Sequence, residues 1–352
     1  MLNCPSRHKS RASMFLAVTA AAMVVSAALA FPPARPYDPR PLLPAAERKV
    51  TGDKYTFIVM GDTKNGGAFP PLVKRAEAID PVLVLLTGDM VEKAMPKPYD
   101  LLEKQIGAFA RKVPCWPCTG NHDIGGFPER QWPLYVKFWG IDSRHYFFDF
   151  KNARFITVHA PVAQPTAQEL AWLEKQLAEG KKAGKLMFVW QHMPCYTVGI
   201  KTRAEIPGCE TAFTRLFTKY GVVANFSGHD HTYYRTRRKD VTYIIQALGG
   251  AGIYSGNRVG EAIEGDVYVV SAGGGRMLVH NAAGEKTIPY QGLLTVIEVD
   301  GKKVTGRTMT SGGEVIDEFI MSPLPADMPA ADGQGPQAAT TDQRGLMTCR
   351  SL

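Results

Sequence analysis

The sequence lacks the features of a membrane-embedded or nucleic-acid-binding protein. Apolar residues make up 45% of the 352 residues and charged residues 21%, which is ordinary for a globular chain. After the first thirty positions, no apolar run approaches the roughly 20 residues that a spanning helix needs. The one dense basic run, residues 235–239, lacks the length and interleaved aromatic residues of a nucleic-acid groove. We therefore expect no nucleic-acid partner and interpret the basic run as a solvated loop or hairpin, with attraction of anionic substrates as the secondary alternative.

The first thirty residues have the order of a secretory signal peptide. Three basic residues precede an apolar run from Met14 to Leu29, and Ala28-Leu29-Ala30 then places small residues two apart. An uncleaved anchor is the alternative, but the run is short for a membrane span. Removal of residues 1–30 would lower the formal net charge from +8 to +5, because the segment has three basic and no acidic residues. We expect a periplasmic or secreted protein with no stable membrane span after cleavage.

Cysteine is scarce, and export would place the remaining cysteines where disulfides persist. Cys195 and Cys209 flank a loop between a predicted strand and a predicted helix, so we expect them to pair. Cys115 and Cys118 have the spacing of a redox motif, but they end a predicted strand instead of opening a helix. A local disulfide or two buried thiols is therefore favoured over oxidoreductase chemistry.

Composition divides the remaining chain into three parts. Residues 31–50 contain six prolines with little periodicity, which predicts an extended, Pro-rich lead-in. Residues 323–352 contain no aromatic residue, so they are predicted to be a disordered tail. Residues 51–322 between them are predicted to form one domain.

Within that domain, short apolar runs alternate with amphipathic stretches, which predicts an α/β fold. The predicted strands are Tyr55–Met60, Val82–Leu86, Val113–Pro117, Tyr146–Phe150, Phe155–His159, Leu186–Trp190, Val222–Phe226, Thr242–Gln246, Val267–Val270, Leu293–Val299 and Lys303–Thr310. The predicted helices lie near Pro70–Ile79, Tyr99–Arg111, Pro128–Trp139, Gln168–Glu179 and Thr211–Tyr220.

Five of these strands are followed by residues that bind metals. They end in Gly61-Asp62, Gly88-Asp89, Gly120-Asn121-His122-Asp123, Gln191-His192 and Gly228-His229-Asp230-His231. Because the carboxyl ends of strands converge at one edge of an open sheet, these side chains are expected to meet. Carboxylate, amide and imidazole donors suit manganese, iron, cobalt or zinc, and six ligands are too many for one such ion. Two ions about 3.5 to 4 Å apart, sharing one carboxylate, would use them all.

These motifs resemble those of the calcineurin-like metallophosphoesterases, which include the purple acid phosphatases and many secreted bacterial enzymes. The similarity extends from Asp62 to His231, and the β-rich continuation to about Ile320 is also similar. The specific matches are Gly120-Asn121-His122-Asp123 and Gly228-His229-Asp230-His231. The resemblance implies a central β-sandwich flanked by helices on both faces, and hydrolysis of small phosphorylated substrates, either monoesters or diesters.

The resemblance also implies a role for each matching residue. Asp89 is the expected bridging carboxylate, with Asp62 and His231 on one ion and Asn121, His192 and His229 on the other. His122 is expected to stabilise the transition state or protonate the leaving oxygen, and Asp123 to hold His122 in place. Two cations would lower the pKa of a water between them and neutralise the phosphoryl oxygens.

One position departs from the family pattern. Lys64 stands where the first motif has a histidine, and a protonated lysine has no lone pair for a metal. Lys64, together with Asn121, is instead a candidate contact for substrate phosphate, with a solvated loop lysine as the alternative. Glu92 stands where purple acid phosphatases have a tyrosine ligand, so no iron-tyrosinate site is expected.

Two functions therefore remain open at this stage. The first is an active phosphoesterase, and the second is a degenerate relative that binds a phosphorylated ligand or a single metal without turnover. His159 also follows a strand but matches no ligand position of the family, so it is interpreted as a structural or pocket-wall residue.

Overall fold

The computed structural model describes residues 36–126, 130–159, 165–200 and 212–322, together with the backbone of 339–341 and 347–349. The predicted signal peptide and Cys209 lie outside these residues. So do Pro128 and Thr211, the first residues of two predicted helices. No described helix is both long and apolar enough to cross a membrane.

The described residues form the following elements. The strands are β1 Lys54–Met60, β2 Leu83–Leu86, β3 Cys115–Pro117, β4 Tyr146–Phe150, β5 Ala153–Thr157, β6 Leu186–Trp190, β7 Ala224–Ser227, β8 Tyr233–Arg238, β9 Val241–Gln246, β10 Val267–Gly273, β11 Arg276–Asn281, β12 Gly284–Pro289, β13 Leu293–Asp300, β14 Lys303–Thr310, β15 Val315–Ser322, β16 Ala339–Thr341 and β17 Met347–Cys349. The α-helices are α1 Leu43–Arg48, α2 Phe69–Ile79, α3 Pro96–Ala110, α4 Trp132–Trp139, α5 Ala167–Lys182 and α6 Ala212–Tyr220.

Local sequence sets where several helices begin. Prolines occupy the first turn of α2, α3 and α4, where the missing N–H is not needed. α5 begins at a capping box. The Thr166 hydroxyl accepts a hydrogen bond from the Glu169 backbone N–H, and the Glu169 carboxylate accepts one from the Thr166 backbone N–H.

Two large mixed sheets are the centre of the fold. The first has the order β15-β14-β13-β1-β2-β3, with β1, β2 and β3 parallel. The second has the order β12-β11-β10-β8-β9-β7-β6-β5-β4, with β5, β6, β7 and β9 parallel. In each sheet, therefore, the ligand-bearing strands run side by side.

Alternation along β1 explains how the sheets pack. Phe57 and Val59 belong to the core between the sheets, where the Phe57 ring lies 5.2 Å from Phe155 and 5.1 Å from Phe188. Ile58 and Met60 point the other way, as the two-residue period of a strand requires, and join the core formed with the helices α2, α3 and α4.

The second sheet is covered on its outer face by α5 and α6. Val189 of β6 packs in one cluster with Leu173 and Leu177 of α5 and with Phe213 and Phe217 of α6. The layers are therefore helices, sheet, sheet and helices. This architecture confirms the predicted α/β sandwich with helices on both faces.

Two sequence-based expectations need correction or extension. The lead-in was expected to be extended, but residues 43–48 form α1, and Ala46 and Val50 pack in the inter-sheet core. Proline restricts only its own φ and the preceding residue, so Leu43–Arg48 can form a helix. In the predicted disordered tail the structure describes only the antiparallel pair β16 and β17, and disorder there stays a prediction.

The basic run forms the hairpin of β8 and β9, which was one of the two interpretations. Arg235 donates to Asp317, and Arg237 to Asp240. Arg238 lies 3.6 Å from Asp266. Each of these three arginines therefore has a neighbouring carboxylate that balances its charge.

Cys115 and Cys118 are buried free thiols, one of the two arrangements favoured above. Burial raises the pKa of both thiols, so neither is a reactive thiolate. The predicted Cys195–Cys209 disulfide lies partly outside the described residues and stays a prediction.

Candidate metal centre

The chemistry-bearing residues lie together at the facing carboxyl ends of the two sheets. Asp62, Asp89 and Asn121 follow β1, β2 and β3 of the first sheet; His192 follows β6, and His229 and His231 follow β7 of the second. The His229 backbone N–H donates to the Asp62 carboxylate at 3.0 and 3.1 Å. This bond joins the two sheet ends directly.

Glycines permit this close approach. A Cβ on Gly120 would lie 2.2 Å from the Asp89 backbone nitrogen, and one on Gly228 would lie 2.3 Å from Asp62 Oδ2. The loops are also tightly bent, because Asp62, Asp89 and His229 all have positive φ angles of 49°, 52° and 69°. Backbone strain of this kind concentrates at functional sites.

Four residues form one half of the centre, which we call the histidine-rich half: Asp89, Asn121, His192 and His229. Asn121 Oδ1 lies 3.1 Å from His192 Nε2 and 3.1 Å from His229 Nδ1, and these two nitrogens are 3.3 Å apart. Asp89 Oδ1 lies 3.4 Å from His192 Nε2. His192 Nδ1 donates to the Thr87 carbonyl at 2.8 Å, so in the neutral ring Nε2 presents a lone pair to this group.

Three residues form the other half, which we call the acidic half: Asp62, Asp89 and His231. Their ligand atoms all lie within 4.8 Å of one another. His231 Nδ1 donates to the Gly252 carbonyl at 2.7 Å, which leaves a lone pair on Nε2, 3.6 Å from Asp62 Oδ1. This buried Nε2 has no hydrogen-bond partner among the described residues.

Burial determines the charge of these groups. It lowers the pKa of His229 to about 3 and that of His231 to about 4, and it also lowers the pKa of His192. All three imidazoles are therefore neutral at neutral pH, with lone pairs available. Burial, followed by the neighbouring Asp89, raises the pKa of Asp62 well above its ordinary value.

This donor set fits metal ions. Lone pairs of imidazole, amide and carboxylate groups face one another at 3.1 to 3.6 Å, and such lone pairs repel unless a cation or a proton lies between them. The buried, unpartnered Nε2 of His231 is a polar atom that a metal would satisfy. Imidazole and carboxylate donors suit manganese, iron, cobalt and zinc.

Lys64 lies inside the centre instead of in solvent. Its side chain is 11% exposed, and Nζ lies 3.4 Å from Asp89 Oδ2. Nζ also lies 3.1 Å from His122 Nε2, to which it can donate. The alternative interpretation, a solvated loop lysine, is therefore wrong.

His122 borders the centre and is oriented by a group that the sequence did not reveal. His122 Nδ1 lies 2.6 Å from the Glu92 backbone carbonyl, so Nδ1 carries the hydrogen and Nε2 turns toward Lys64 and Asp89. Glu92 itself is exposed and precedes α3. The carbonyl could not be anticipated, because any residue type supplies one.

Asp123 has a different position from the one predicted. Its fully buried carboxylate accepts hydrogen bonds from the backbone N–H groups of Asp89, Met90, Val91 and Gly120. No described hydrogen bond joins it to the His122 side chain. Asp123 therefore shapes the loop that presents Asp89, and the Glu92 carbonyl orients His122.

Sequence reasoning also missed a loop that supports His231. Besides the bond from His231 to Gly252, the Tyr254 N–H donates to the His231 carbonyl at 2.9 Å. The Tyr254 ring stacks on the imidazole with centroids 4.2 Å apart and planes 21° apart. The glycines around residue 250 indicated turns, but nothing in the sequence showed which ligand they support.

His159 lies outside the donor set. It is 5% exposed, and its Nδ1 is 2.9 Å from Thr119 Oγ1. This agrees with the interpretation of a structural residue.

Comparison with known sequences identifies one family. A model described as calcineurin-like phosphoesterase matches residues 55–233, just over half of the chain. Comparison with curated proteins gave no match.

Comparison with solved structures finds the same fold in distant proteins. Purple acid phosphatase PPD1 from yellow lupin (Lupinus luteus) seeds is 17% identical with a TM-score of 0.60; the match covers 77% of this chain but only 54% of the lupin chain. GAP50 of Plasmodium is 15% identical with a TM-score of 0.55, over 76% of this chain and 89% of that one. At these identities the likeness establishes the fold alone.

Proposed function

Because this chain belongs to the calcineurin-like phosphoesterase family, we propose that it hydrolyses small phosphate monoesters or diesters with two metal ions. One ion is held by the histidine-rich half and the other by the acidic half, with Asp89 shared between them. The observation that carries this proposal is the unpartnered, buried Nε2 of His231 facing Asp62, in a group of carboxylate, amide and imidazole donors gathered from five strand ends.

The chain supplies the metal ligands and the phosphate contacts. Asp62, Asp89, Asn121, His192, His229 and His231 are the ligands that we assign. When bound, the ions supply Lewis-acid stabilisation of the phosphoryl oxygens and lower the pKa of the attacking water. We assign the Lys64 ammonium and the Asn121 amide to phosphate oxygens, since Lys64 lies beside Asp89 and Asn121 lies beside His192 and His229.

His122 is the residue that we assign to the leaving group. Its Nδ1 hydrogen is held by the Glu92 carbonyl, so Nε2 is the nitrogen that is turned to the centre. There it can stabilise negative charge on the leaving oxygen or deliver a proton to it, an effect typically worth about 10²- to 10⁴-fold.

We also propose that the enzyme works outside the cytoplasm. Residues 1–30 have the pattern of a signal peptide, and a periplasmic or secreted enzyme would act on substrates found there. Fusing residues 1–30 and 1–60 to a reporter that is active only after export tests this. Reporter activity without cleavage near residue 30 would indicate an anchor, and no activity would exclude export.

The test of function is metal analysis followed by hydrolysis on the same sample. The protein is stripped with a chelator, reloaded separately with manganese, iron, zinc or cobalt, and assayed with an aryl phosphate and a bis-aryl phosphate. We expect two ions per chain and hydrolysis that the chelator abolishes. Two bound ions with no hydrolysis of either ester under any loading would contradict the proposal.

A second function, binding without turnover, is favoured by one observation. The ammonium of Lys64 lies 3.4 Å from Asp89, where a second ion would add like charge. Fold likeness does not decide the matter, because GAP50 is described as the anchor in the inner membrane complex of Plasmodium and fold does not set function. One ion per chain, phosphate binding and no hydrolysis would establish this second function.

A further inference from the structure

The Lys64 ammonium is held in place by the backbone of its own loop. Asp62, Lys64 and Asn65 have positive φ angles of 49°, 41° and 56°, a rare conformation for residues with side chains. The Lys64 N–H donates to the Asp89 carbonyl at 3.1 Å. The Asn65 side chain accepts from Glu92 N–H and donates to the Pro98 carbonyl, at 3.1 and 3.0 Å. The bent loop therefore directs Lys64 into the centre.

The ammonium compensates charge that is otherwise unbalanced. The Asp62 and Asp89 side chains are only 0% and 1% exposed, and burial of unpaired carboxylates is costly. Lys64 Nζ lies 3.4 Å from Asp89 Oδ2, and His122 Nε2 lies 3.9 Å from the same oxygen. The Lys64 ammonium is therefore a cation in direct contact with one carboxylate of this pair.

The effect of Lys64 is uneven between the two halves of the centre. Lys64 lies near Asp89 Oδ2, whereas His192 faces Asp89 Oδ1. The charge of Lys64 therefore lies beside the Asp89 oxygen that does not face His192.

We propose that Lys64 is a built-in counter-charge of Asp62 and Asp89 that competes with one metal ion, so that the acidic half fills second and only as Lys64 leaves Asp89. This inference rests on the metal site of the proposed function. Its physical basis is that like charges a few ångströms apart in a water-poor site repel strongly. The histidine-rich half should bind its ion first.

A simpler account is that Lys64 merely fails to supply a ligand, and one set of variants separates the two. Lys64→Met keeps the length of the side chain but removes the charge and adds only a thioether, a poor ligand for hard ions. Lys64→Arg keeps the charge, and Lys64→His removes the charge and adds a ligand. Calorimetric titration of the chelator-stripped proteins with Mn²⁺ gives the affinity and number of ions without any assay of activity.

Competition predicts that Lys64→Met binds the second Mn²⁺ about tenfold or more tightly than the natural chain, that Lys64→His binds it still more tightly, and that Lys64→Arg is no better than the natural chain. The affinity for the first ion should change much less. If Lys64→Met binds the second ion no more tightly than the natural chain, or binds no ion, the proposal is overturned.

Loss of the counter-charge also threatens folding of the stripped Lys64→Met protein, so a second measurement uses the natural chain. Reductive dimethylation with quantification of the Lys64 peptide reports how accessible the ammonium is. We expect labelling of Lys64 to increase severalfold when the second ion binds, while labelling of the exposed Lys54 stays constant. Unchanged Lys64 labelling at two ions per chain would overturn the proposal.

Failure of this inference is distinguishable from failure of the proposed function. Hydrolysis with no tightening in Lys64→Met would leave the phosphoesterase standing and remove the competition. Tighter binding in Lys64→Met with no hydrolysis by any loaded form would support the competition and remove the proposed phosphoesterase activity.

Discussion

The two halves of the centre share Asp89 but have opposite local chemistry. The histidine-rich half adds neutral donors to Asp89, with Asn121, His192 and His229 within 3.3 Å of one another. The acidic half adds a second buried carboxylate, Asp62, and admits a lysine ammonium. Under the proposed competition, the difference teaches that ligand identity alone would not set affinity. The half with more negative charge would bind its ion more weakly, because the protein already supplies a cation there.

Asp89→Asn should have the largest effect, because it removes the carboxylate common to both halves. We expect both ions to be lost at micromolar metal and hydrolysis to fall about 10³-fold or more, since several kcal/mol of transition-state stabilisation comes from the metals. Metal analysis and kcat/KM measure the two effects. Because both ions are lost, the two halves should no longer differ in metal binding in this variant.

Asp300→Asn is the matched control, because Asp300 is an exposed carboxylate paired with Lys54 at the far end of β13. It should leave both quantities unchanged. An Asp89→Asn protein that keeps two ions would show that the halves do not share Asp89.

His122→Asn should have the next largest effect on activity, although His122 belongs to neither half. We expect kcat to fall about 10²- to 10⁴-fold with two ions still bound, because the imidazole acts on the leaving oxygen. The deficit should shrink for substrates with good leaving groups, which need less stabilisation. A series of aryl phosphates with graded leaving groups measures this.

His280→Asn provides the control, since His280 is a half-exposed histidine on β11. Loss of a metal ion in His122→Asn would contradict the assigned role and make His122 part of the metal site.

The parallel strands that form the site were predictable, because each is a short apolar run that ends in a Gly-containing loop. β8, β11, β12 and β15 were not among the predicted strands. β12 is largely exposed, so it shows no alternation of buried and exposed residues, and strand propensity depends on packing against neighbours that a single sequence does not show. Helix α1 was missed because its proline content resembles that of an extended segment.

Within the site, the ligand types were predictable and their supporting contacts were not. Asp62 and His231 carry their chemistry in the side chain, so their position after strands indicated a shared edge. The Glu92 carbonyl, the Gly252 carbonyl and the four N–H groups around Asp123 are backbone groups, which sequence does not distinguish. The direction of Lys64 depends on left-handed φ angles, and its loop sequence equally allowed a solvated side chain.

Tyr254→Ala tests the support that is particular to the acidic half. The ring stacks on His231, and such aromatic contacts contribute about 0.5–1.5 kcal/mol, so the second ion should bind roughly two- to tenfold more weakly. The first ion should be unaffected. Tyr254→Phe is the matched control, since it keeps the ring and should keep the affinity. Equal weakening of both ions would mean that the loop supports the whole centre.

Replacement of Cys115 and Cys118 by alanine should have the smallest effect on the centre. Cys118 is the informative residue, because it lies close to the acidic half. Burial raises the pKa of its thiol, and the negative charges of Asp123, Asp62 and Asp89 raise that pKa further. A buried neutral thiol is a poor ligand, and the acidic half has its own donors. We expect Cys118→Ala, like Cys115→Ala, to bind two ions with unchanged affinity and to lose only about 1 kcal/mol of stability in a denaturant titration. A folded Cys118→Ala protein that lost the second ion while Cys115→Ala kept it would add sulfur to the acidic half and weaken the case that charge alone distinguishes the halves.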